Sequence, residues 1–513
     1  MAIRITIQFA VGSIKLASMA VKVWVFIVAL MCIGVVGLGA DGSAGSSRDG
    51  GSLSRCHLSS PNYHGALAKA ILFFEGQRSG RLPANQRAKW RGDSALTDGQ
   101  PENVNLTGGY YDAGDNVKFG FPMAFTVTLL SWGAVEYRDE VAAAGQLRYL
   151  RSAIQWGADF LLRAHTSPTT LYTQVGDGNA DHQCWERPED MDTPRTLYKI
   201  TQSSPGSEAA GEAAAALAAA YLVFRDDRDK TLATQLLAAS RSLFDFANDY
   251  RGSYQLSCPF YCSYSGYQDE LQWASAWLYR ATKDSKYLDF LQNNQGGSAT
   301  EFSWDNKYPG AQLLATQEYL GGRTELEGYK RGLDSFVCAV MPNSGNTQIR
   351  TTPVHNHRCP AAVNLLKGPE FCRRPSSPVQ RRKLLSRPDQ FICNVTGGLH
   401  PGRQSEGHVV HGRFSSKYPR RIHHRGSSIP SIKALPRKVT CNEGFSSWFP
   451  TSNPTPTPMS APSSVDLTGT TSSVTTGRTP RTPSQRRTST QHLWVPVLLP
   501  SGSRTSTRSL WTT

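Results

Sequence analysis

The chain has 513 residues, enough for one large domain or two to three ordinary ones, and its 39% hydrophobic and 10% aromatic content excludes a disordered protein. The formal net charge of +15 is unevenly spread. Residues 354–413 carry ten Lys/Arg against three Asp/Glu, and residues 459–513 carry six against one, so these two segments supply +12 of it. Because these segments lack apolar periodicity, we expect no nucleic-acid partner despite the charge.

Ten cysteines are too few for a disulfide scaffold in a chain of this length. No Cys-x-x-Cys pair occurs, so a zinc ribbon or a thiol redox motif has no support. Cys258 and Cys262 are close enough in sequence to pair with each other, and Cys184 could pair elsewhere.

The N-terminal region has the features of a secretory signal. Lys22 precedes an apolar run over residues 23–40 that ends in small residues. This run of about 18 residues is also near the minimum length of a membrane span, but the polar stretch after it favours a cleaved signal. We predict a signal peptide over residues 1–40, with Met19 as an alternative start, and a spacer over residues 41–61.

In chain order, apolar residues at helical spacing predict a succession of helices. They are expected over residues 63–74, 125–137, 147–164, 208–224, 230–247, 269–282, 286–291, 311–320 and 324–340. Strand signals between them are weak. Many helices joined by loops rich in Gly, Pro and aromatic residues indicate an all-α domain.

The character of the sequence changes after about residue 353. Residues 62–353 have the pattern of a folded domain, whereas residues 354–413 have no helical period. Residues 414–458 look ordinary again, and residues 459–513 form a basic tail rich in Ser, Thr and Pro that we expect to be disordered. An ordinary segment between two aberrant ones is unusual and requires an explanation.

Two acidic residues mark the first motif that could carry chemistry. Residues 108–120 read GGYYDAGDNVKFG, which places Asp112 and Asp115 three residues apart with Gly114 between them. A tight loop of this kind could direct both carboxylates into one cleft, where one would deprotonate a water molecule and the other would hold it. From the spacing alone, an Asx-turn or a calcium-binding loop is an open alternative.

The whole string and its surroundings resemble glycoside hydrolase family 9. The resemblance covers residues 62–353 and includes the strings LFFEGQRSG, HQCWERPEDM, DELQW and FSWDNKY. It implies an (α/α)6 barrel and inverting hydrolysis of β-1,4-glucan. It also implies that Asp115 is the catalytic base and that Asp112 positions the nucleophilic water.

Several further residues in these strings suit a glucan substrate. Trp185 and Trp304 could stack on the apolar faces of sugar rings. His182 and Arg187 could contact sugar hydroxyls, although a structural role is an equally open alternative for each.

The second motif is KYPRRIHHRGSS over residues 417–428, which resembles the other active-site block of the family. In that block the first His lies in the active site, which assigns His423 a catalytic role. Arg425 would then bind sugar or orient a carboxylate. A solvated loop or a partial metal site is the alternative, but no third ligand has convincing spacing, so we expect no metal and no cofactor.

The family's last block, which contains the general-acid Glu in a Glu-Pro-x-Thr-Tyr-x-Asn string, is absent from this sequence. When residues 459–498 are back-translated with free codon choice and shifted by frame, they can be read to include EPTTYINAAFVGAC. Residues 398–414 can similarly give the segment expected before Lys417. The sequence therefore predicts a frameshifted C-terminal part and a barrel that is incomplete at that end.

These observations favour an endo-β-1,4-glucanase that acts on cellulose and related wall glucans. A catalytically inactive glucan-binding protein and a non-functional product of a faulty gene sequence are the alternatives. We expect a monomer that is secreted to the cell wall and has no stable association with membranes. In a secreted protein, Asn105-Leu106-Thr107 is an acceptor motif for N-glycosylation.

Overall fold

The computed structural model describes residues 63–112, 114–299, 301–340 and 423–451. The predicted signal peptide, spacer, aberrant segment 354–413 and basic tail lie outside these residues, so the predictions made for them stay untested. Within the described residues, no helix combines the length and the apolar character that crossing a membrane requires.

The described chain is mainly helical. Its principal helices are α1 (Tyr63–Gly76), α2 (Gly120–Glu136), α3 (Arg138–Ala143), α4 (Leu147–Ala164), α5 (Gly178–His182), α6 (Ser207–Phe224), α7 (Thr231–Asp249), α8 (Gln268–Thr282), α9 (Ser285–Asn293), α10 (Tyr308–Leu320) and α11 (Glu327–Val340). Each helix predicted from periodicity is confirmed, but α2 begins at Gly120 rather than at residue 125. The other ends shift by less than one turn, and a 3₁₀ turn at Thr324–Leu326 precedes α11.

Helix α6 lies at the centre of the packing and is buried along almost its whole length. It packs against α2, α7 and α8. Its run from Ala213 to Ala220 is almost fully buried and carries mostly methyl side chains, which let neighbouring helices approach closely. Helix α2 is likewise apolar around its circumference, as a helix enclosed by others must be.

A small antiparallel sheet supplements the helices. Strands β1 (Lys118–Phe119), β2 (His165–Ser167) and β4 (Leu197–Ile200) each pair with β3 (Thr170–Val175). These strands have two to six residues, too few for a period of two to stand out in the sequence. Strand β1 follows the Asp112–Asp115 loop directly, so its pairing with β3 fixes one end of that loop.

The segment 423–451 docks onto the helical body. It contains the short helices α12 (Arg425–Ser428) and α13 (Cys441–Glu443) and a π-helical turn over Gly444–Trp448. A disulfide joins Cys441 to Cys184, which identifies the partner that the sequence left open. The predicted local pair, Cys258–Cys262, is confirmed.

Candidate active site

The loop with the two carboxylates is held by main-chain hydrogen bonds. Asp112 N donates to Val117 O at 2.9 Å, and Gly114 N donates to Asp112 O at 2.6 Å. At Gly114, with φ of +157°, a Cβ atom would lie 2.7 Å from His423 O. Glycine is therefore required, because any side chain would push away the segment that carries His423.

A buried charge cluster fixes the far end of this loop. Lys118 Nζ lies 2.7 Å from Asp98 Oδ2, and Arg195 donates to both oxygens of Asp98 at 2.9 Å. Arg195 also donates to Asn116 O at 2.6 Å. Burial lowers the pKa of Lys118 to about 8 although Asp98 opposes the shift. Burial raises the pKa of Asp98, but the two cations outweigh it and hold that pKa below its usual value.

Asp115 is only 4% exposed, and both of its oxygens are engaged. Oδ1 accepts a hydrogen bond from Val117 N at 2.9 Å, and Oδ2 lies 2.9 Å from His182 Nε2. Burial favours the neutral carboxyl, but the hydrogen bond from His182 and the charge of Arg425 outweigh it, so the pKa of Asp115 is lowered. The group is therefore an ionised carboxylate at neutral pH, which is the state that a general base requires.

Asp112 is held by Tyr261, a residue that the sequence did not single out. Tyr261 Oη donates to Asp112 Oδ2 at 2.7 Å, and its ring packs against Phe119 and Trp304. Burial and then the nearby Asp112 raise the pKa of Tyr261 well above its usual value, so the phenol stays protonated as a donor. In the sequence, Tyr261 stands beside Cys262, which was expected to form a disulfide. That position was the signal that could have suggested a fixed place for the Tyr261 side chain.

Asp181 adds a third carboxylate beside Asp115. Its Oδ1 accepts a hydrogen bond from Asn116 N at 3.2 Å, and its Oδ2 lies 3.2 Å from Arg425 Nη2. Burial raises the pKa of Asp181 to about 6, with the charge of Asp115 adding to the shift and Arg425 opposing it. The sequence analysis missed this residue because it lies next to His182 with no distinguishing spacing.

Arg425 joins the second motif to the first. Its side chain donates to Cys184 O at 2.8 Å, Gly114 O at 3.0 Å and Asp181 O at 3.0 Å. The Nε and both Nη atoms of this guanidinium are therefore engaged within the protein. Of the two alternatives raised by the sequence, the geometry favours orientation of a carboxylate over sugar binding.

The two adjacent histidines lie in different environments. His423 is half-buried and its ring packs 4.8 Å from that of Trp185. His424 is buried, accepts a hydrogen bond from Ser427 N at its Nδ1, and has the side-chain amide of Gln77 2.8 Å from its Nε2. Burial, followed by the nearby arginines, lowers the pKa of His424 to about 3, so it is a neutral structural residue.

Three predicted substrate contacts lie in the interior. Trp185 is 2% exposed and donates to Ser428 Oγ at 2.9 Å, and Trp304 is 5% exposed. Arg187 is fully buried and donates to Asp190 and to the main-chain carbonyls of Pro430, Leu435 and Arg437. For Arg187 this favours the structural alternative. The burial of both Trp rings likewise gives no support to sugar stacking.

The structure therefore brings together Asp112, Asp115, His182 and Arg425 and places the His423 backbone against them. Among the described residues, two sets of side chains could group around a metal ion. One is Asp115, Asp181 and His182, and the other contains the disulfide-bonded Cys184 and Cys441 with Glu186. Cys184 and Cys441 are joined to each other in a disulfide, and His182 is paired with Asp115. The expectation of no metal stays a prediction.

Comparison with known proteins identifies the family of this chain. The family model for glycosyl hydrolase family 9 matches residues 63–361. Endoglucanase 20 of Oryza sativa subsp. japonica is 69% identical over 414 residues, covering 78% of this chain and 80% of that protein. An endoglucanase of Phaseolus vulgaris is 55% identical over 427 residues, covering 77% of this chain and 83% of the relative.

Solved structures are similar as well. The endoglucanase of the termite Nasutitermes takasagoensis superposes with a TM-score of 0.63 at 39% identity, covering 78% of this chain and 89% of that chain. Cellulase Cel9M of C. cellulolyticum gives 0.57 at 29% identity, covering 72% and 85%. These neighbours confirm the predicted helical barrel class, and the chain belongs to glycosyl hydrolase family 9.

Proposed function

We propose that this chain is an endo-β-1,4-glucanase that cleaves internal bonds of cellulose and related wall glucans with inversion. The observation that carries the proposal is the Asp112–Asp115 loop, in which two buried carboxylates are fixed by different partners. Tyr261 holds one and His182 holds the other. Family membership supports the endoglucanase activity, and the loop supplies the residues for it.

In this mechanism Asp115 removes a proton from the water that attacks the anomeric carbon. Its ionised state fits that role. Asp112 orients the same water, and the hydrogen bond from Tyr261 keeps the Asp112 carboxylate in its orientation. An inverting enzyme needs the acid about 6.5–9.5 Å from the base so that the water fits between them. We assign His423 and His182 to the walls of the site, next to the bound glucan.

The general acid is the part that the printed sequence does not supply. We propose that residues 459–498 are a frameshifted version of the block that contains it. Without an acid the glycosidic oxygen leaves unprotonated, and general acid catalysis is typically worth about 10² to 10⁴-fold in rate. The printed chain would then bind glucan through the same site but hydrolyse it slowly, which is the alternative of an inactive binding protein.

We also propose that the protein is secreted to the cell wall and acts there as a monomer on the polysaccharide. The two disulfides support this location, because disulfides persist in oxidising compartments and are rare in the cytosol. Relatives of high identity are plant endoglucanases by name.

The test compares the printed chain with a frame-restored version. Release of reducing ends from carboxymethylcellulose measures hydrolysis, and sedimentation with cellulose measures binding. We expect binding by both chains, rapid hydrolysis only by the restored one, and no hydrolysis by its Asp115→Asn variant at unchanged thermal stability. Rapid hydrolysis by the printed chain would refute the missing acid, and full activity of the Asp115→Asn variant would refute the assigned base. Sequencing of the transcript across the codons for residues 354–414 and 454–498 tests the frameshift directly.

A further inference from the structure

The motif Asn105-Leu106-Thr107 has no role in hydrolysis, and the structure places it at the surface. The side chain of Asn105 is exposed and that of Thr107 is partly exposed, whereas Leu106 is fully buried. The buried Leu106 anchors the loop in the core and leaves the two polar residues beside it directed outward. The two residues that a glycosyltransferase reads, Asn105 and Thr107, are therefore accessible from solvent.

The Asn105 side chain has one orientation because its oxygen is bound. Thr107 Oγ1 donates to Asn105 Oδ1 at 2.6 Å, and Thr107 N donates to the same oxygen at 3.1 Å, which forms an Asx-turn. Both bonds use the carboxamide oxygen. The nitrogen Nδ2, the atom that carries an N-linked glycan, has no hydrogen-bond partner among the residues that the structure describes.

The surroundings of Asn105 leave room for a large substituent. The turn over residues 100–103, which comes just before it, is exposed. On the interior side, Lys118 Nζ donates to Leu106 O, and Arg163 Nη2 donates to Thr107 O at 2.9 Å. These contacts hold the loop from its interior side through main-chain atoms, so a glycan on Nδ2 displaces no packed side chain.

We propose that Asn105 is an N-glycosylation site, an inference that rests on the proposed secretion of the chain. In the transfer, Asn105 Nδ2 attacks C1 of the first N-acetylglucosamine of an oligosaccharide linked to a polyisoprenyl diphosphate. The C1–N bond forms as the C1–O bond to the diphosphate breaks. The polyisoprenyl diphosphate leaves with the electron pair, and Nδ2 gives up one proton to a base of the transferase.

The experiment expresses the full chain in yeast behind a heterologous signal peptide, so that entry into the secretory pathway does not depend on residues 1–40. A second motif, Asn394-Val395-Thr396, is removed in every variant by Asn394→Gln. Peptide mass spectrometry after endoglycosidase H should find one N-acetylglucosamine on Asn105. The modification should be lost in Asn105→Gln and Thr107→Ala and kept in the matched control Thr107→Ser. Because the oligosaccharide is transferred before the chain folds, a variant that folds poorly still shows whether Asn105 is glycosylated.

An unmodified Asn105 peptide, from cells in which a reporter glycoprotein is fully glycosylated, would overturn the proposal. The surface placement has its own test, since endoglycosidase H should release the glycan from the native protein as completely as from the denatured one. A glycan that endoglycosidase H releases from the denatured protein but not from the native one would overturn the surface placement of Asn105. Expression behind residues 1–40 is a separate arm. If Asn105 is glycosylated behind the heterologous signal but not behind residues 1–40, the proposed signal peptide is refuted and the glycosylation site is still supported.

Discussion

Loss of the disulfide between Cys184 and Cys441 should destabilise the protein much more than loss of the one between Cys258 and Cys262. The first joins residues 257 apart in the chain, and the second joins residues 4 apart. A cross-link stabilises a protein mainly by restricting its unfolded chain, by an amount that grows with the logarithm of the loop length. The expected losses are roughly 5.5 kcal/mol and 2 kcal/mol, so the loop lengths alone give a difference of about 3.5 kcal/mol.

The measurement is urea unfolding followed by tryptophan fluorescence. The Cys184→Ser/Cys441→Ser protein is compared with the matched Cys258→Ser/Cys262→Ser protein and with the parent. Limited proteolysis gives a second readout, because the segment 423–451 should be cleaved early only when its covalent link to the helical body is removed. Equal losses of stability in the two double variants, or a larger loss in the Cys258/Cys262 pair, would refute the reasoning from loop length.

Three further predictions concern the site, with activities measured in the frame-restored protein. Tyr261→Phe removes a hydrogen bond to the Asp112 carboxylate that is worth about 1.5–3 kcal/mol. The kcat/KM on carboxymethylcellulose should therefore fall roughly 10- to 150-fold, and an unchanged value would show that Tyr261 has no part in the mechanism. Folding lowers the pKa of His424 from its ordinary 6.5 to about 3. Between these pH values the imidazole is protonated in the unfolded chain but neutral in the folded one, so the free energy of unfolding falls as the pH drops from 6.5 to 3. In His424→Gln, the free energy of unfolding should depend less steeply on pH across that range. A slope identical to that of the parent would show that another group causes the pH dependence. Gly114→Ala places a Cβ atom 2.7 Å from His423 O, so both turnover and melting temperature should fall, and a variant equal to the parent in both would contradict the close approach.

Much of the fold could be predicted because long helices repeat their apolar residues with a regular period. The span Leu147–Ala164 has the same ends in the prediction and in the structure, since its buried face is continuous and its exposed face is polar. The strands β1 and β4 are too short for any period to be recognised. Their existence depends on β3, a partner far along the chain, and that pairing is a tertiary property that no local window contains.

The site was predictable only in part for the same reason. Asp112 and Asp115 are close in sequence, so a single tight loop brings them together. Tyr261 comes to Asp112 from 149 positions away, and its role follows from a hydrogen bond rather than from a motif. Asp181 is adjacent to His182 in the chain, yet its importance depends on Arg425, which lies in the separate segment 423–451.

The buried arginines show that a residue of a functional motif can have a structural use within the protein. Arg187 and Arg425 each occupy main-chain carbonyl oxygens, which a planar guanidinium with five donors can satisfy simultaneously and the point charge of a lysine cannot. Arg425 binds the carbonyl of Gly114, between the two proposed catalytic carboxylates, and so couples the docking of residues 423–451 to the geometry of Asp115. A loss of activity on replacing Arg425 would therefore be expected with no sugar contact at all, because the proposed base Asp115 would lose the partner that fixes its loop.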